Sequence, residues 1–418
     1  MLDQEQFLKR AESLMDVERY DMALKELEKA MELNPDNGQA WLLMLLCYTR
    51  MGKTDKAVDI ARQLLGTYPE EALIYFLLAL NLVDKEELAE AEKIALAGLN
   101  IAPNYVNLFS VIGRIYLIRK NWEKALEYAN EGLAIDPSDI DCLNIRVKAL
   151  TQLGRKEELK ASMEDSLSAA PNNPYTHNNI GWSKLQAGDH EGAKTHFAEA
   201  LRINPNMDDA RVGLLESLKA KNFVYRIFLN WMFWMAKKTE GSQWVIILGL
   251  YFGARFLNRI STDYPFLIPV VVLLAIAFYM TWVMTPLFNL FIKMDKTASQ
   301  ALTPEESGGA NVVGIGILVG LTAIITYAIT GFDIASLVAV FALSIVIPSY
   351  MYFDFKNTTH EMHAKVSAIA FWGIGLFALT GTLLGMPWGG SLWTLYFLGF
   401  FGYQFAVNFW NMKKRPLD

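Results

Sequence analysis

The chain has 418 residues, a formal net charge of −6 and 53% hydrophobic residues. Residues 1–221 carry 26 Lys+Arg against 35 Asp+Glu, and residues 222–418 carry 12 against 9, so an acidic, charge-rich half is joined to an apolar, weakly basic one. Apolar runs of about 20 residues in the second half exclude a purely soluble globular protein, and the lack of a basic domain argues against a nucleic-acid binder. The two cysteines, Cys47 and Cys142, exclude a disulfide scaffold and fit a reducing compartment. The opening MLDQEQ is acidic and has no apolar core, so no signal peptide is expected ahead of the first half.

Prolines at 35, 69, 103, 137, 171 and 205 recur every 34 residues and set repeat starts at 4, 38, 72, 106, 140 and 174. Small residues stand 12 positions before each proline (Ala23, Ala57, Ala91, Ala125 and Ala193), with Leu159 the one departure. A second small position reads Ala30, Leu64, Gly98, Gly132, Ser166 and Ala200. Large residues recur at Phe7, Trp41, Tyr75, Phe109 and Leu143, with His177 the exception. Small residues let two helices approach closely, and proline cannot continue a helical hydrogen-bond ladder. A single helical hairpin cannot bury both its faces, so such units stack into a superhelix with a concave groove. This 34-residue pattern resembles the tetratricopeptide repeat family, in register across residues 4–205. The resemblance implies an all-α fold: a superhelix of six hairpins over residues 1–221, with 208–221 as a capping helix.

The resemblance also places repeat positions 2, 5, 9 and 12 on the concave side. There the early repeats are apolar (Leu42, Leu46, Leu73, Phe76, Leu80, Val83, Leu117). Later repeats turn polar and basic, with Asn107, Arg114, Asn144, Lys148 and Asn178, then Tyr175 and Trp182. Two readings stand: a groove for a peptide or partner helix, or leucines packed within the stack or against the membrane half. Asn144 and Asn178 occupy equivalent positions, and their amides can donate to and accept from an extended backbone. The family's carboxylate clamp has Lys at position 5 and Asn at position 9. The pairs here, such as Asn144/Lys148 and Asn178/Trp182, do not match it, so chaperone-tail binding is not expected. The candidate partner-binding residues are therefore Leu42, Leu46, Phe76, Leu80, Asn107, Arg114, Asn144, Lys148, Asn178 and Trp182.

Residues 222–242 read as an interfacial helix and linker. Asn222, Arg226 and Asn230 form a narrow polar stripe amid Phe, Tyr, Trp and Met, and Lys237 and Lys238 close the helix. The competing reading is a hydrophobic helix packed on the end of the repeats. Six apolar segments follow at 243–260, 265–292, 311–331, 334–353, 366–385 and 388–411, and they define a six-helix transmembrane domain over 243–412. Arg255 and Arg259 weaken the first, and Pro286 is expected to kink or end the second. With six spans, Lys237, Lys238, Lys293, Lys296, Lys356, Lys365, Lys413, Lys414 and Arg415 share one side against Arg255 and Arg259 on the other. The positive-inside rule then puts the repeats, both termini and the basic 413–418 tail in the cytoplasm. The 293–310 connection is expected to be a flexible cytoplasmic loop. The pairs Gly249/Gly253, Gly316/Gly320 and Gly381/Gly385 allow close helix contact, within one bundle or across a homodimer.

Catalytic signatures are missing from the sequence: no GxSxG elbow, phosphate loop or dinucleotide fingerprint appears. The Asp354…His360-Glu361-x-His363 cluster lacks HExxH spacing and a third ligand, so it reads as a solvated loop rather than a metal site. Arg255, Arg259 and Asp333 lie near span ends, and Gln404 and Asn408 share a face of the last span. No catalytic residue, metal or cofactor is expected. The chain reads as a non-enzymatic, membrane-anchored adaptor that holds a protein or peptide in its groove. The lipid bilayer is its second partner, and another membrane protein is a third candidate. Order and composition resemble repeat-containing multi-pass membrane proteins of bacteria, which points to the inner membrane. The alternative is a transporter, channel or intramembrane enzyme regulated by its repeats.

Overall fold

A computed structural model describes residues 4–296 and 298–412; these are helices joined by turns, with no strand among the described residues. Twelve helices form six consecutive pairs: α1 (Gln4–Asp16) with α2 (Tyr20–Leu33), α3 (Gly38–Arg50) with α4 (Thr54–Thr67), and α5 (Ala72–Asp84) with α6 (Leu88–Ile101). The others are α7 (Val106–Ile118) with α8 (Trp122–Ile135), α9 (Ile140–Leu153) with α10 (Lys156–Ala169), and α11 (Pro174–Gln186) with α12 (His190–Ile203). Then comes α13 (Asp208–Lys219). Every second helix stops two residues before its proline. The intervening residue is extended, as at Asn34 (φ −149°, ψ 97°) and Asp136 (φ −128°, ψ 100°). The pyrrolidine ring bars its predecessor from the α region, so the helix must stop there.

The turn inside each pair needs one left-handed residue. Glu18, Gly52, Glu86, Lys120, Gly154 and Gly188 supply it, all with positive φ and again 34 apart. Ala23, Ala57, Ala91, Ala125 and Ala193 are fully buried, and Leu159 nearly so. At the second small position a Cβ on Gly98 would stand 2.7 Å from Tyr75 Cβ and 2.8 Å from Leu108 Cδ1, so only glycine admits this helix approach. His177 proves to be no exception to the bulky position. Trp41 Nε1 and Tyr75 Oη donate to the carbonyls of Pro35 and Pro69 at 2.9 Å, and His177 Nε2 reaches the Pro171 carbonyl at the same distance.

The chain divides into two compact units between Ala210 and Arg211, inside α13. The second unit holds the rest of α13, α14 (Phe223–Ala236), α15 (Glu240–Ile260), α16 (Ile268–Met294), α17 (Pro304–Thr330), α18 (Asp333–Asp354), α19 (Glu361–Leu383) and α20 (Gly389–Met412). Each expected apolar segment is helical. Four helical stretches, Pro265–Met294, Pro304–Thr330, Asp333–Asp354 and Glu361–Leu383, are long and apolar enough to cross a membrane by length and composition. The core of this unit gathers Val283, Val313, Phe341, Val346, Phe371 and Tyr396. Tyr279 Oη donates to the Leu343 carbonyl at 3.0 Å, and Trp372 Nε1 to Ser349 Oγ at 2.9 Å. Arg211 donates to Glu306 at 2.8 Å, and Tyr225 Oη donates to Glu216, which also holds the buried Lys219.

Several local expectations change. Helix α16 does not end at Pro286 but continues to Met294. The 293–310 connection is not a flexible loop: a short 3-10 turn spans Ala298–Ala301 and α17 starts at Pro304. Thr303 and Glu306 form a reciprocal capping box with proline at the first helical position, a strong helix start that hydropathy alone overlooks. His360 is half-buried rather than in open solvent, whereas His363 is exposed. Both rings lie against Trp410, with centroids 5.9 and 5.7 Å away, and His360 also meets Phe355. Gly316 and Gly320 face Val346 and Leu343, so that pair serves α17–α18 packing, whereas Gly249 and Gly253 have nothing within 4 Å. Lys413, Lys414, Arg415 and the rest of the 413–418 tail lie outside the described residues.

Candidate partner-binding groove

The first helix of each pair carries the candidate residues. Leu42 and Leu46 lie on α3, Phe76 and Leu80 on α5. All four are half-buried and lean on the apolar core of the stack, as do Leu73 and Leu117. The Phe76 ring sits 6.3 Å from that of Tyr105. These side chains thus share their surface between the core and solvent.

A cleft of about 520 Å³ opens farther along the array. It brings together Arg114, Lys148 and Trp182 of the expected set. Asn107 and Asn144 are not part of its lining; Asn107 is half-buried and Asn144 buried. Asn178 is also buried, and its amide Nδ2 donates to Asp209 Oδ2 at 2.6 Å. Trp182 Nε1 donates to the same oxygen at 3.2 Å. Arg114 pairs with Asp84 of the preceding repeat at 2.9 Å. That pair is exposed, so its contribution to stability is small.

Lys148 reaches solvent, yet it lines the cleft, where protein displaces much of the surrounding water. That crowding holds its ammonium below the usual lysine range; Asp209 pulls the other way and Arg114 adds to the depression. Asp141 shows the reciprocal effect. Crowding, then neighbouring Asp139, raises its carboxyl, while Arg114 and Arg50 oppose the shift. The polar end is therefore of mixed charge, with Arg114 and Lys148 set among Asp84, Asp141 and Asp209.

Sequence reasoning missed Trp122, Gln152, Gln186 and Asp209, which also line the cleft. Gln152 and Gln186 repeat at 34 residues and are bonded to each other at 3.3 Å. That spacing was readable, but position 13 was not among those assigned to the concave face. Asp209 belongs to the capping helix, where no full repeat supplies a register.

Family profiles described as tetratricopeptide repeat match residues 14–80 and 174–207. A repeat-containing protein of Methanocaldococcus jannaschii is 27% identical over 161 residues, covering 36% of this chain and 28% of that protein. The anaphase-promoting complex subunit CDC16 of Saccharomyces cerevisiae is 23% identical over 212 residues, covering 49% and 25%. The chain spans about a quarter of the length of these curated relatives. Among solved structures, the type IV pilus biogenesis factor PilW aligns with a TM-score of 0.43 and 18% identity, over 50% of this chain and 98% of PilW. Both profile matches fall within the proline register, the second beginning at residue 174 where the sixth repeat starts, and they support tetratricopeptide repeats in the N-terminal half of the chain.

Proposed function

We propose that the chain is a membrane-anchored adaptor. Residues 1–221 hold a protein or peptide in the concave groove, and 243–412 anchor it in a bilayer through six helices. The observation that carries this reading is the cleft at Arg114, Lys148 and Trp182, together with half-buried apolar side chains at Leu42, Leu46, Phe76 and Leu80 on the first helices of earlier repeats. A partner with apolar anchors and an acidic end fits that two-part surface. Full burial of one apolar anchor contributes roughly 1.5–3 kcal/mol, while the cations set orientation and association rate.

Anchoring rests on the outward face of the second unit. Phe256, Phe266, Leu273, Ile315, Leu318, Ile329, Ile369 and Leu398 are all more than half exposed. Apolar exposure on that scale marks a surface made for lipid or another apolar partner. Helix α14 turns Tyr225 and Leu229 inward and leaves Phe223, Ile227, Met232 and Trp234 exposed, as an interfacial helix over residues 222–242 would.

The test is affinity capture with the full chain in mild detergent. Arg114→Glu with Lys148→Glu should weaken partner capture, and high salt should mimic it in the unaltered chain. Phe76→Ala should weaken capture with little salt dependence. Unchanged capture by both folded variants would move the interaction to another surface.

A further inference from the structure

Within the first unit, the chain's own Asp209 occupies the polar end of the groove. Its Oδ2 accepts from Asn178 Nδ2 at 2.6 Å and from Trp182 Nε1 at 3.2 Å. Asn178 and Trp182 stand at positions 5 and 9 of the sixth repeat, one turn apart on α11. Two neutral N–H donors converging on one carboxylate oxygen make a strong, directional arrangement, because hydrogen bonds to an ionised acceptor exceed neutral ones. Lys148 lines the same cleft, senses the Asp209 charge, and forms no ion pair among the described residues. Asn178 is almost wholly buried, so its donor direction is fixed by packing.

We propose that Asn178, Trp182 and Lys148 form a carboxylate-reading seat, filled here by Asp209, which an acidic group of a bound peptide enters by displacing Asp209. This rests on the groove being the partner-binding surface. It adds the chemistry read there: one carboxylate bonded by an amide and an indole, with the Lys148 ammonium in the same cleft. It also makes Asp209 an internal competitor that lowers affinity for weakly acidic ligands. The carboxylate can come from an acidic side chain or from a peptide C-terminus.

The test uses the full chain in detergent with Asp209→Ser, which empties the seat and leaves a small polar side chain in the first turn of α13. Sodium acetate is the probe, against sodium chloride at equal ionic strength. The variant should melt a few degrees below the unaltered chain, and acetate, not chloride, should restore the difference. The unaltered chain should not respond to acetate, and adding Lys148→Met with Trp182→Phe to the variant should abolish the restoration. Equal effects of acetate and chloride, or restoration that survives those two changes, would overturn the seat. If Asp209→Ser does not fold, Asp209→Asn, which keeps shape and acceptor, carries the test: it should bind the peptide Ac-Leu-Glu-Leu-Glu-NH2 more tightly than the unaltered chain does. Equal affinity would overturn the proposal. Ac-Leu-Gln-Leu-Gln with a free C-terminus, run beside that amidated peptide, separates a terminal from a side-chain carboxylate. Acetate restoration with partner capture indifferent to Arg114→Glu and Lys148→Glu would keep the seat and sink the groove reading. Intact groove-dependent capture without restoration would do the reverse.

Discussion

At the scale of single residues, the 34-residue register extends to a backbone feature that side-chain patterns hide. Three of the six left-handed turn positions carry Glu18, Glu86 and Lys120 where the others carry glycine. A non-glycine residue there costs about 1–2 kcal/mol, and glycine's added freedom in the unfolded chain offsets roughly 0.4–1 kcal/mol of any relief. Glu86 is exposed and forms no ion pair among the described residues. Glu86→Gly should therefore raise stability by about 0.5–1 kcal/mol, and thermal unfolding of the full chain checks it. A lower melting temperature would mean the turn relies on the side chain.

His177 and His196 give a second prediction at this scale. Their Nδ1 atoms are 3.1 Å apart, and His177 Nε2 must donate to the Pro171 carbonyl. With both rings neutral, His177 Nδ1 accepts from His196 Nδ1–H. Burial first, then the His177 and Lys184 charges, lower His196 to about 4, with Asp189 opposing; Glu199 also faces His177. The folded value lies below the unfolded one of about 6.5, so acid favours the unfolded state. Stability of the sixth repeat should be complete above about pH 6.5 and fall progressively towards pH 4. Limited proteolysis across 174–203 at stepped pH checks this, and His196→Gln should flatten the response. A flat response in the unaltered chain would remove the pair as the cause.

Elements were legible wherever one physical rule dominated. The proline register fixed the ends of α2, α4, α6, α8, α10 and α12, because the residue before proline is barred from the helix. Hydropathy located the apolar helices but not their starts: α17 begins seven residues before the expected 311, on a polar capping box that a hydropathy window cannot see. The lining of the cleft was legible in part. Arg114, Lys148 and Trp182 follow from position 9, whereas Asn144 faces inward and Asp209 comes from the cap. Helix packing yields a paired prediction. A Cβ at Gly316 would collide with Val346, whereas one at Gly249 meets nothing within 4 Å. Gly316→Leu should destabilise the second unit by roughly 1–3 kcal/mol through overpacking, and Gly249→Leu should be tolerated. Thermal aggregation in detergent separates them, and equal disruption would mean that the α15 face is occupied by another helix.

Across the whole molecule, two sequence chemistries define two units, and the proposed function joins them. An acidic, charge-rich array of stacked hairpins presents a mixed-charge cleft, and an apolar set of helices turns bulky side chains outward. If the second unit is anchored as proposed, the Lys and Arg asymmetry predicts its orientation: a reporter inserted at the turn after Thr330 should lie opposite the repeats, and one fused after Asp418 on the same side. Opposite placement of the C-terminal reporter would mean an odd number of spans, with α15 and its exposed Arg255 and Arg259 the first helix to question. The central claim, that the groove of a membrane-held array is what the partner occupies, is tested most directly by site-specific photocrosslinking in intact membranes. A photoreactive residue at Gln152, in the cleft, is compared with one at Lys93, exposed on the second helix of its pair. The account predicts a discrete adduct from position 152 that stays with the membrane fraction after alkaline extraction, disappears with Arg114→Glu and Lys148→Glu, and is not formed from position 93. An adduct from position 93 alone, or one from position 152 indifferent to the charge reversal, would contradict it.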